Sequence, residues 1–193
     1  MDAANPADAD RVIAAAADLG GVDFLVPSAG IYLAEPFAQM SDEQWRRTLS
    51  INLDGVFYIT RRATDHLTEG SSIVNLSSMA AHRGAMTNAH YAASKGALGA
   101  MSRALAKELA PRTRVNAVSP GPMKTLAGAA IGGARKTFRH TEANSPMRQN
   151  ATLEAVGGTA AWLCSDYGNC TTGEIVKVDC GYHVLGMPQS ENL

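Results

Sequence analysis

Tyr91 and Lys95 are the two residues of this sequence whose types and spacing most directly suggest chemistry. They stand four positions apart in Tyr91-Ala-Ala-Ser-Lys95, within a helix-like stretch. Side chains at that spacing share one helix face, so the ammonium can approach the phenol. A nearby cation favours the phenolate and would lower the tyrosine pKa towards the range useful for proton transfer. The same spacing also fits an amphipathic helix with a solvated lysine.

Further small or polar residues fall where a parallel sheet would gather them. Ser78 ends an apolar run thirteen residues before Tyr91, and Asn52 interrupts an otherwise apolar helix segment. Ser28-Ala29-Gly30 follows one apolar run directly, and Pro120-Gly121 follows another. Because ligands of open parallel sheets bind at the carboxyl ends of the strands, we expect these residues to border one site.

The apolar runs and helical periodicities predict alternating strands and helices. Short continuous apolar runs are typical of strands that are buried on both faces of a parallel sheet. Strands alternating with helices of about 10 to 20 residues indicate βαβ units. The expected strands are 23–27, 72–77, 114–119 and 174–179, and the expected helices are 12–19, 41–64, 89–109 and 152–164. The sequence therefore predicts an α/β fold with a parallel, doubly wound, Rossmann-like sheet.

The domain organisation is expected to be simple. No repeat, linker or break in composition divides the chain, so residues 1–193 are expected to form one domain. Residues 122–150 have weak periodicity and contain the breakers Gly132-Gly133 and Ser145-Pro146. Such a connection is long for a structureless loop, so we expect either a substrate lid or a pair of short helices here.

The composition excludes several classes of protein. The net charge is -1 and only 18% of the residues are charged, which excludes a basic nucleic-acid surface and a highly charged disordered chain. No apolar run approaches the roughly 18 to 20 residues of a membrane helix, and the first ten residues carry acids where a secretory peptide carries bases. We therefore expect a cytoplasmic protein without a membrane or nucleic-acid partner. The three cysteines lack metal-site spacing and the five histidines are scattered, so no metal is expected.

From Asp23 to Gly181 the sequence resembles the short-chain dehydrogenase/reductase family. The segments that carry the resemblance are Ser28-Ala-Gly30, Asn52, Ile73-Val-Asn-Leu-Ser-Ser78, Tyr91-Ala-Ala-Ser-Lys95, Val115-Asn-Ala-Val-Ser-Pro-Gly121 and Val176-Lys-Val-Asp-Cys-Gly181. The resemblance implies a Rossmann-like fold, NAD or NADP as cofactor, a small carbonyl or alcohol substrate, and a homodimer or homotetramer.

The resemblance also implies roles for individual residues. Tyr91 would be the general acid/base, and Lys95 would lower its pKa and bind the nicotinamide ribose. Ser78 would hold the substrate oxygen, and Asn52 would hold a water that links Lys95 to solvent. Further residues would contact the cofactor: Asp2, Ser28, Ala29, Gly30, Pro120, Gly121, Met123 and Thr125.

The sequence departs from the family pattern in one large feature. The family's glycine-rich turn, Thr-Gly-x-x-x-Gly-x-Gly, does not occur ahead of Asp23, and Asp2 resembles the residue that follows the family's third strand. We therefore expect the N-terminal βαβαβ half of the fold to be largely missing, and with it the helix N-terminus that binds the pyrophosphate and the residue that selects NAD or NADP. The 23–27 strand, central in the family, is then expected to be an exposed edge.

Two hypotheses about function follow. The first is an oxidoreductase that interconverts a carbonyl and an alcohol by hydride transfer to or from NAD(P)(H). The second is a truncated, cofactor-incompetent remnant that acts as an assembly or interaction partner. Residues 114–179 also resemble the enoyl-acyl-carrier-protein reductase branch, but that branch places its Tyr and Lys further apart, which favours the carbonyl/alcohol reaction.

Overall fold

The computed structural model describes residues 1–124 and 134–186 of the chain. Within these ranges, four parallel strands form one sheet in the order β1-β2-β3-β4. The strands are β1 (Val22–Leu25), β2 (Leu67–Leu76), β3 (Thr113–Pro120) and β4 (Ile175–Val178). The prediction of a parallel α/β fold is confirmed.

Seven α-helices connect and cover these strands within the described residues. They are α1 (Pro6–Asp18), α2 (Asp42–Leu49), α3 (Gly55–Ala63), α4 (Ala80–Arg83), α5 (Ala89–Glu108), α6 (Ala134–Asn144) and α7 (Leu153–Cys164). A π-helical turn at Ser50–Asp54 joins α2 to α3, and short 3-10 turns lie at Phe37–Gln39, Thr64–His66, Asp166–Gly168 and Tyr182–Val184.

The hydrophobic core lies on both faces of the sheet. Ile73 of β2 packs with Ile13, Ala63 and Ala106 on the face covered by α1, α3 and α5. Its neighbour Val74 points to the opposite face and packs in a second cluster with residues of α7. This alternation follows from the two-residue period of a strand, and it makes the sheet doubly wound.

The helix boundaries are set by local signals. Ser41 and Gln44 form the predicted capping box at the start of α2: the Gln44 amide donates to the Ser41 hydroxyl at 3.1 Å, and the Ser41 amide donates to the Gln44 side chain at 2.8 Å. The predicted 12–19 helix begins earlier, at Pro6, because Asn5 caps it by accepting from the Ala7 amide.

Two other predicted elements differ from the structure. The predicted 41–64 helix is interrupted by the π-helical turn, in which Asn52 makes the contacts described below. The predicted 23–27 strand ends at Leu25, shortly before Pro27, which has no amide to donate to a neighbouring strand.

β1 lies at an edge of the sheet. Among the described strands it pairs only with β2, and the side chain of Phe24 is 57% exposed. The sequence-based expectation of an exposed edge at this strand is confirmed. Within the ranges that the structure describes, no helix is long and apolar enough to cross a membrane.

Candidate active site at the carboxyl ends of β2 and β3

A cleft of about 530 Å³ opens where β2 and β3 end. Ser78 follows β2, Pro120 and Gly121 close β3, and Gly30 comes from the loop after β1. The cleft gathers most of the predicted site residues, as expected for the carboxyl edge of a parallel sheet. Those that line it are Ser28, Gly30, Ser78, Tyr91, Lys95, Pro120, Gly121 and Met123.

Tyr91 lies in the first turn of α5 and borders the cleft. Burial raises the pKa of its phenol above the ordinary value, and a hydrogen bond with the Ser78 side chain acts in the opposite direction. The net shift of the Tyr91 pKa is therefore opposite to the expected direction, because desolvation outweighs the effects that favour the phenolate. Tyr91 holds its proton at neutral pH.

Lys95 is buried although it carries an ammonium group. Only 6% of the residue is exposed, and its Nζ donates to the carbonyl oxygen of Leu76 at 2.8 Å. The Nζ also lies 5.9 Å from the centroid of the Tyr91 ring. Burial lowers the pKa of Lys95 to about 8.

The two serines after β2 make different hydrogen bonds. The Ser77 hydroxyl donates to the Lys95 carbonyl oxygen at 3.0 Å and thereby ties the end of β2 to α5. The Ser78 hydroxyl accepts from the Ala80 amide at 3.2 Å, and Ser78 lines the cleft together with Tyr91. Ser78 is thus the serine that a substrate oxygen near Tyr91 could reach.

Asn52 is fully buried in the π-helical turn. Its Oδ1 accepts from the Ile31 amide at 2.7 Å, and its Nδ2 donates to the Ile31 carbonyl oxygen at 2.9 Å. The Nδ2 also donates to the Ser94 hydroxyl at 3.3 Å. The side chain therefore joins the loop after β1 to α5, next to the lysine.

A side chain would be crowded at Gly30 and would collide with the backbone at Gly121. A Cβ on Gly30 would lie 3.2 Å from the Asn52 Oδ1 and 3.7 Å from the Lys95 Nζ. A Cβ on Gly121 would lie 2.9 Å from the backbone of Asp179. The missing side chain at Gly30 leaves space beside the Lys95 Nζ, which borders the cleft.

Two further predicted cofactor residues, Ala29 and Asp2, are not part of this lining. Ala29 is exposed in the same loop but does not line the cleft. Asp2 is exposed, and its carboxylate accepts from the Ala4 amide at 3.0 Å near the start of α1. Thr125 lies outside the described residues.

The sequence analysis missed several lining residues. Tyr32 and Asn88 add polar groups, while Phe138 of α6 and Leu153 and Val156 of α7 add apolar surface. The position of Tyr32, two residues after Gly30 at a strand end, was a usable signal. The others carry no local signature, because they reach the cleft only through the tertiary fold.

The described residues fit one end of a dinucleotide. The Lys95 ammonium and the open space at Gly30 suit a ribose and a nicotinamide beside Tyr91. No glycine-rich turn ahead of β1 offers backbone amides to a pyrophosphate. Within residues 1–124 and 134–186, no group of three His, Cys, Asp or Glu side chains could hold a metal ion.

Comparisons with known proteins show that the chain is similar to dehydrogenases and reductases. A family model described as enoyl-(acyl carrier protein) reductase matches residues 1–183. The chain is 40% identical over 172 residues to 3beta-hydroxysteroid dehydrogenase 1 of Eggerthella lenta, covering 87% of this chain and 66% of that protein. It is 36% identical over 179 residues to enoyl-[acyl-carrier-protein] reductase [NADH] 2 of Rhizobium meliloti, covering 90% of this chain and 67% of that enzyme.

A solved structure has the same fold over nearly the whole chain. The short-chain dehydrogenase/reductase SDR:glucose/ribitol dehydrogenase of Brucella melitensis superposes with a TM-score of 0.91 at 47% identity, covering 96% of this chain and 75% of that one. The chain thus spans about two thirds of the length of the curated relatives named above. The chain belongs to the short-chain dehydrogenase/reductase family and is similar to its enoyl-acyl-carrier-protein reductase branch.

Proposed function

We propose that this chain carries the acid–base centre of an oxidoreductase that interconverts a carbonyl and an alcohol with NAD(H) or NADP(H). The observation that carries the proposal is the convergence of three side chains in one cleft. Ser78, Tyr91 and Lys95 line the same cleft, and the buried ammonium of Lys95 lies 5.9 Å from the Tyr91 ring.

Tyr91 would donate a proton in reduction and accept one in oxidation. In reduction, the protonated phenol donates to the carbonyl oxygen while Ser78 holds that oxygen by a hydrogen bond. In oxidation, the phenolate accepts the proton of the alcohol, and this direction requires the Lys95 cation to stabilise the negative charge. Because its pKa is raised by burial, Tyr91 carries at neutral pH the proton that reduction requires.

The cofactor would lie with its nicotinamide ribose against Lys95 and Gly30. When bound, the dinucleotide supplies or accepts the hydride. Asn52 holds the Ile31 loop and α5 together around this position, and Gly121 and Met123 border it at the end of β3.

We also propose that residues 122–150 act as a lid of the same single domain. Thr137 and Phe138 of α6 line the cleft and place apolar surface over the reacting groups. Such a cover would exclude water from the reaction.

The relatives support the carbonyl/alcohol reaction and leave a second reaction to be tested. One relative is named as a hydroxysteroid dehydrogenase, and another as an enoyl reductase that uses NADH. The four-residue spacing of Tyr91 and Lys95 favours carbonyl chemistry over reduction of a carbon–carbon double bond.

A different class of function rests on β1. Its edge is unpaired among the described strands, and Phe24 and Val26 are exposed there. An exposed apolar edge is a surface on which another polypeptide can add a strand. Under this second proposal the chain is an assembly partner without turnover.

Turnover measurements separate these proposals. We would assay the 193-residue chain and, in parallel, a fused form that carries the strand–glycine turn–helix unit of a related enzyme ahead of Met1. Consumption of NADH or NADPH with ketones, but not with an enoyl thioester, supports the proposed reaction. Reduction of the enoyl thioester alone, or no turnover in either form, would contradict it.

A further inference from the structure

Two polar side chains of the cleft have no role in the proposed proton transfer. Tyr32 lies in the loop after β1, and Asn88 immediately precedes α5. The Asn88 Nδ2 donates to the hydroxyl of Tyr32. The Tyr32 ring meets the Tyr91 ring edge-on, with centroids 4.9 Å apart and an interplanar angle of 65°. The pair therefore lies directly beside the proposed proton donor.

Asn88 does not do what an asparagine at its position ordinarily does. It occupies the N-cap of α5, where asparagine normally accepts a hydrogen bond from a backbone amide of the first turn, at a gain of about 1 kcal/mol. Here the side chain makes no capping bond. The residue is only 1% exposed, and its Oδ1 has no partner among the described residues. The amide is turned towards Tyr32 instead.

The backbone before Asn88 is also unusual. Thr87 has a φ of +62°, a left-handed conformation that β-branched residues rarely adopt. Its carbonyl oxygen accepts from the Glu35 amide at 2.8 Å, so the loop that carries Tyr32 is fixed to the turn that carries Asn88. Backbone strain of this kind persists where the surrounding contacts require it, and it occurs often at ligand sites.

This arrangement leaves one donor available to a ligand. Because the Tyr32 oxygen accepts from Asn88, its own O–H proton is not used in that bond, and Tyr32 donates no side-chain hydrogen bond within the described part of the chain. The surrounding lining is mostly apolar, with Ile31, Leu76, Met79, Met123, Phe138 and Val156 as its larger members. Among the described residues that line the cleft, Lys95 is the one charged side chain.

We propose that Tyr32, held by Asn88, donates a hydrogen bond to a second acceptor oxygen of the substrate, next to the carbonyl that reacts at Tyr91. The substrate class that this pair selects is a neutral, mainly apolar ketone with a second acceptor oxygen near the reacting carbonyl, such as a vicinal diketone. The inference rests on the proposed function and makes it more specific. Tyr32 is a specificity-determining residue in this scheme, and Asn88 is a positioning residue.

The test compares two ketones that differ in one oxygen. Benzil and deoxybenzoin carry the same two phenyl rings, but only benzil has a second carbonyl. Their dissociation constants are measured on the 193-residue chain by saturation-transfer NMR. Benzil should bind about fivefold more tightly, since a neutral hydrogen bond contributes about 1 kcal/mol. Tyr32→Phe should reduce this ratio to about one and leave deoxybenzoin binding within about twofold.

Two further variants test whether the O–H proton of Tyr32 is responsible for the preference for benzil. Tyr167→Phe removes the same atom from a tyrosine that is 90% exposed and should keep the preference for benzil. Asn88→Asp, studied at pH 8 after circular dichroism has shown a native spectrum, gives Tyr32 a carboxylate to donate to. Its proton is then engaged, and the preference should disappear although the hydroxyl is still present.

The proposal is overturned if the two ketones bind equally to the unmodified chain, if neither binds, or if Tyr32→Phe keeps the preference. A failure of the proposed function would give a different experimental result. In that case the benzil preference and its loss in Tyr32→Phe persist, while neither the chain nor the fused form turns over a ketone.

Discussion

The side-chain amide of Asn52 pairs with both backbone polar groups of Ile31, accepting from its amide at 2.7 Å and donating to its carbonyl oxygen at 2.9 Å. The two residues are 21 positions apart, so the contact fixes a loop after the first strand against the π-helical turn. Gly30, next to Ile31, is thereby placed beside Lys95. This one amide thus helps to fix the loop that carries Gly30.

Asn52→Ala should destabilise the fold by about 3 kcal/mol, because it leaves two backbone groups of Ile31 without their partners. Urea unfolding followed by circular dichroism measures the change. Asn144→Ala, at an exposed asparagine of α6, is the matched control and should change stability by about 0.5 kcal/mol or less. If Asn52→Ala loses no more stability than this control, the pairing of Asn52 with Ile31 does not stabilise the fold.

Lys95 should make stability depend on pH above about 8. Its pKa falls from 10.5 in the unfolded chain to about 8 in the fold, so the unfolded chain binds more protons between these values. Stability from this group therefore rises as the pH increases from 8 towards 10.5, by about 3 kcal/mol in total. The charged lysine is destabilising below pH 8.

The contribution of Lys95 is isolated by comparison with Lys95→Met. The pKa values of Tyr91, Cys164 and Cys180 are raised by burial, so these groups act in the opposite direction at alkaline pH in both proteins. The unfolding free energy of the unmodified chain minus that of Lys95→Met should increase with pH above 8. A constant difference from pH 7 to pH 10 would contradict the depressed pKa of Lys95.

We expect the chain to form a dimer or tetramer through the outer face of α5. Ala93, Gly96 and Ala100 are exposed on this helix, and their small size allows a second helix to approach closely. Ala100→Arg should shift the assembly to a smaller species in sedimentation velocity. Ala15→Arg, at an exposed alanine of α1, should leave the assembly unchanged. A monomer at micromolar concentration in the unmodified chain would be decisive against this interface.

The 193-residue chain should bind NADH and NADPH weakly, with dissociation constants no tighter than about 1 mM. The cleft holds residues suited to the nicotinamide end, but the sequence contains no glycine-rich turn ahead of β1 for the pyrophosphate. Titration calorimetry on folded protein measures the affinity. Micromolar binding of either cofactor would mean that the chain has a working phosphate site.

Features encoded by neighbouring residues were predictable from the sequence. The capping box of Ser41 and Gln44 involves residues three positions apart, and α5 was predicted within a residue of its observed end. The strand-end positions of Gly30 and Ser78 followed from the topology of parallel sheets, which brings the carboxyl ends of strands to one edge.

Features that depend on contacts between distant residues were not predictable. Asn52 pairs with Ile31, 21 positions away, and the partner of Asn88 is a tyrosine 56 positions away. The direction of the Tyr91 pKa was predicted wrongly because it is decided by burial, which spacing does not reveal. Local sequence thus located the reactive groups but not their electrostatic environment.

Tyr91→Phe tests most directly whether Tyr91 exchanges the proton with the substrate oxygen. In the fused form, this variant should lower kcat by about 10² to 10⁴-fold, because a positioned proton donor contributes that much to the rate. Cofactor affinity, measured by calorimetry on the same samples, should stay within about twofold because the ring remains in place. If the variant retains more than about a tenth of the activity with unchanged cofactor affinity, Tyr91 is not the acid/base and the proposed mechanism is wrong.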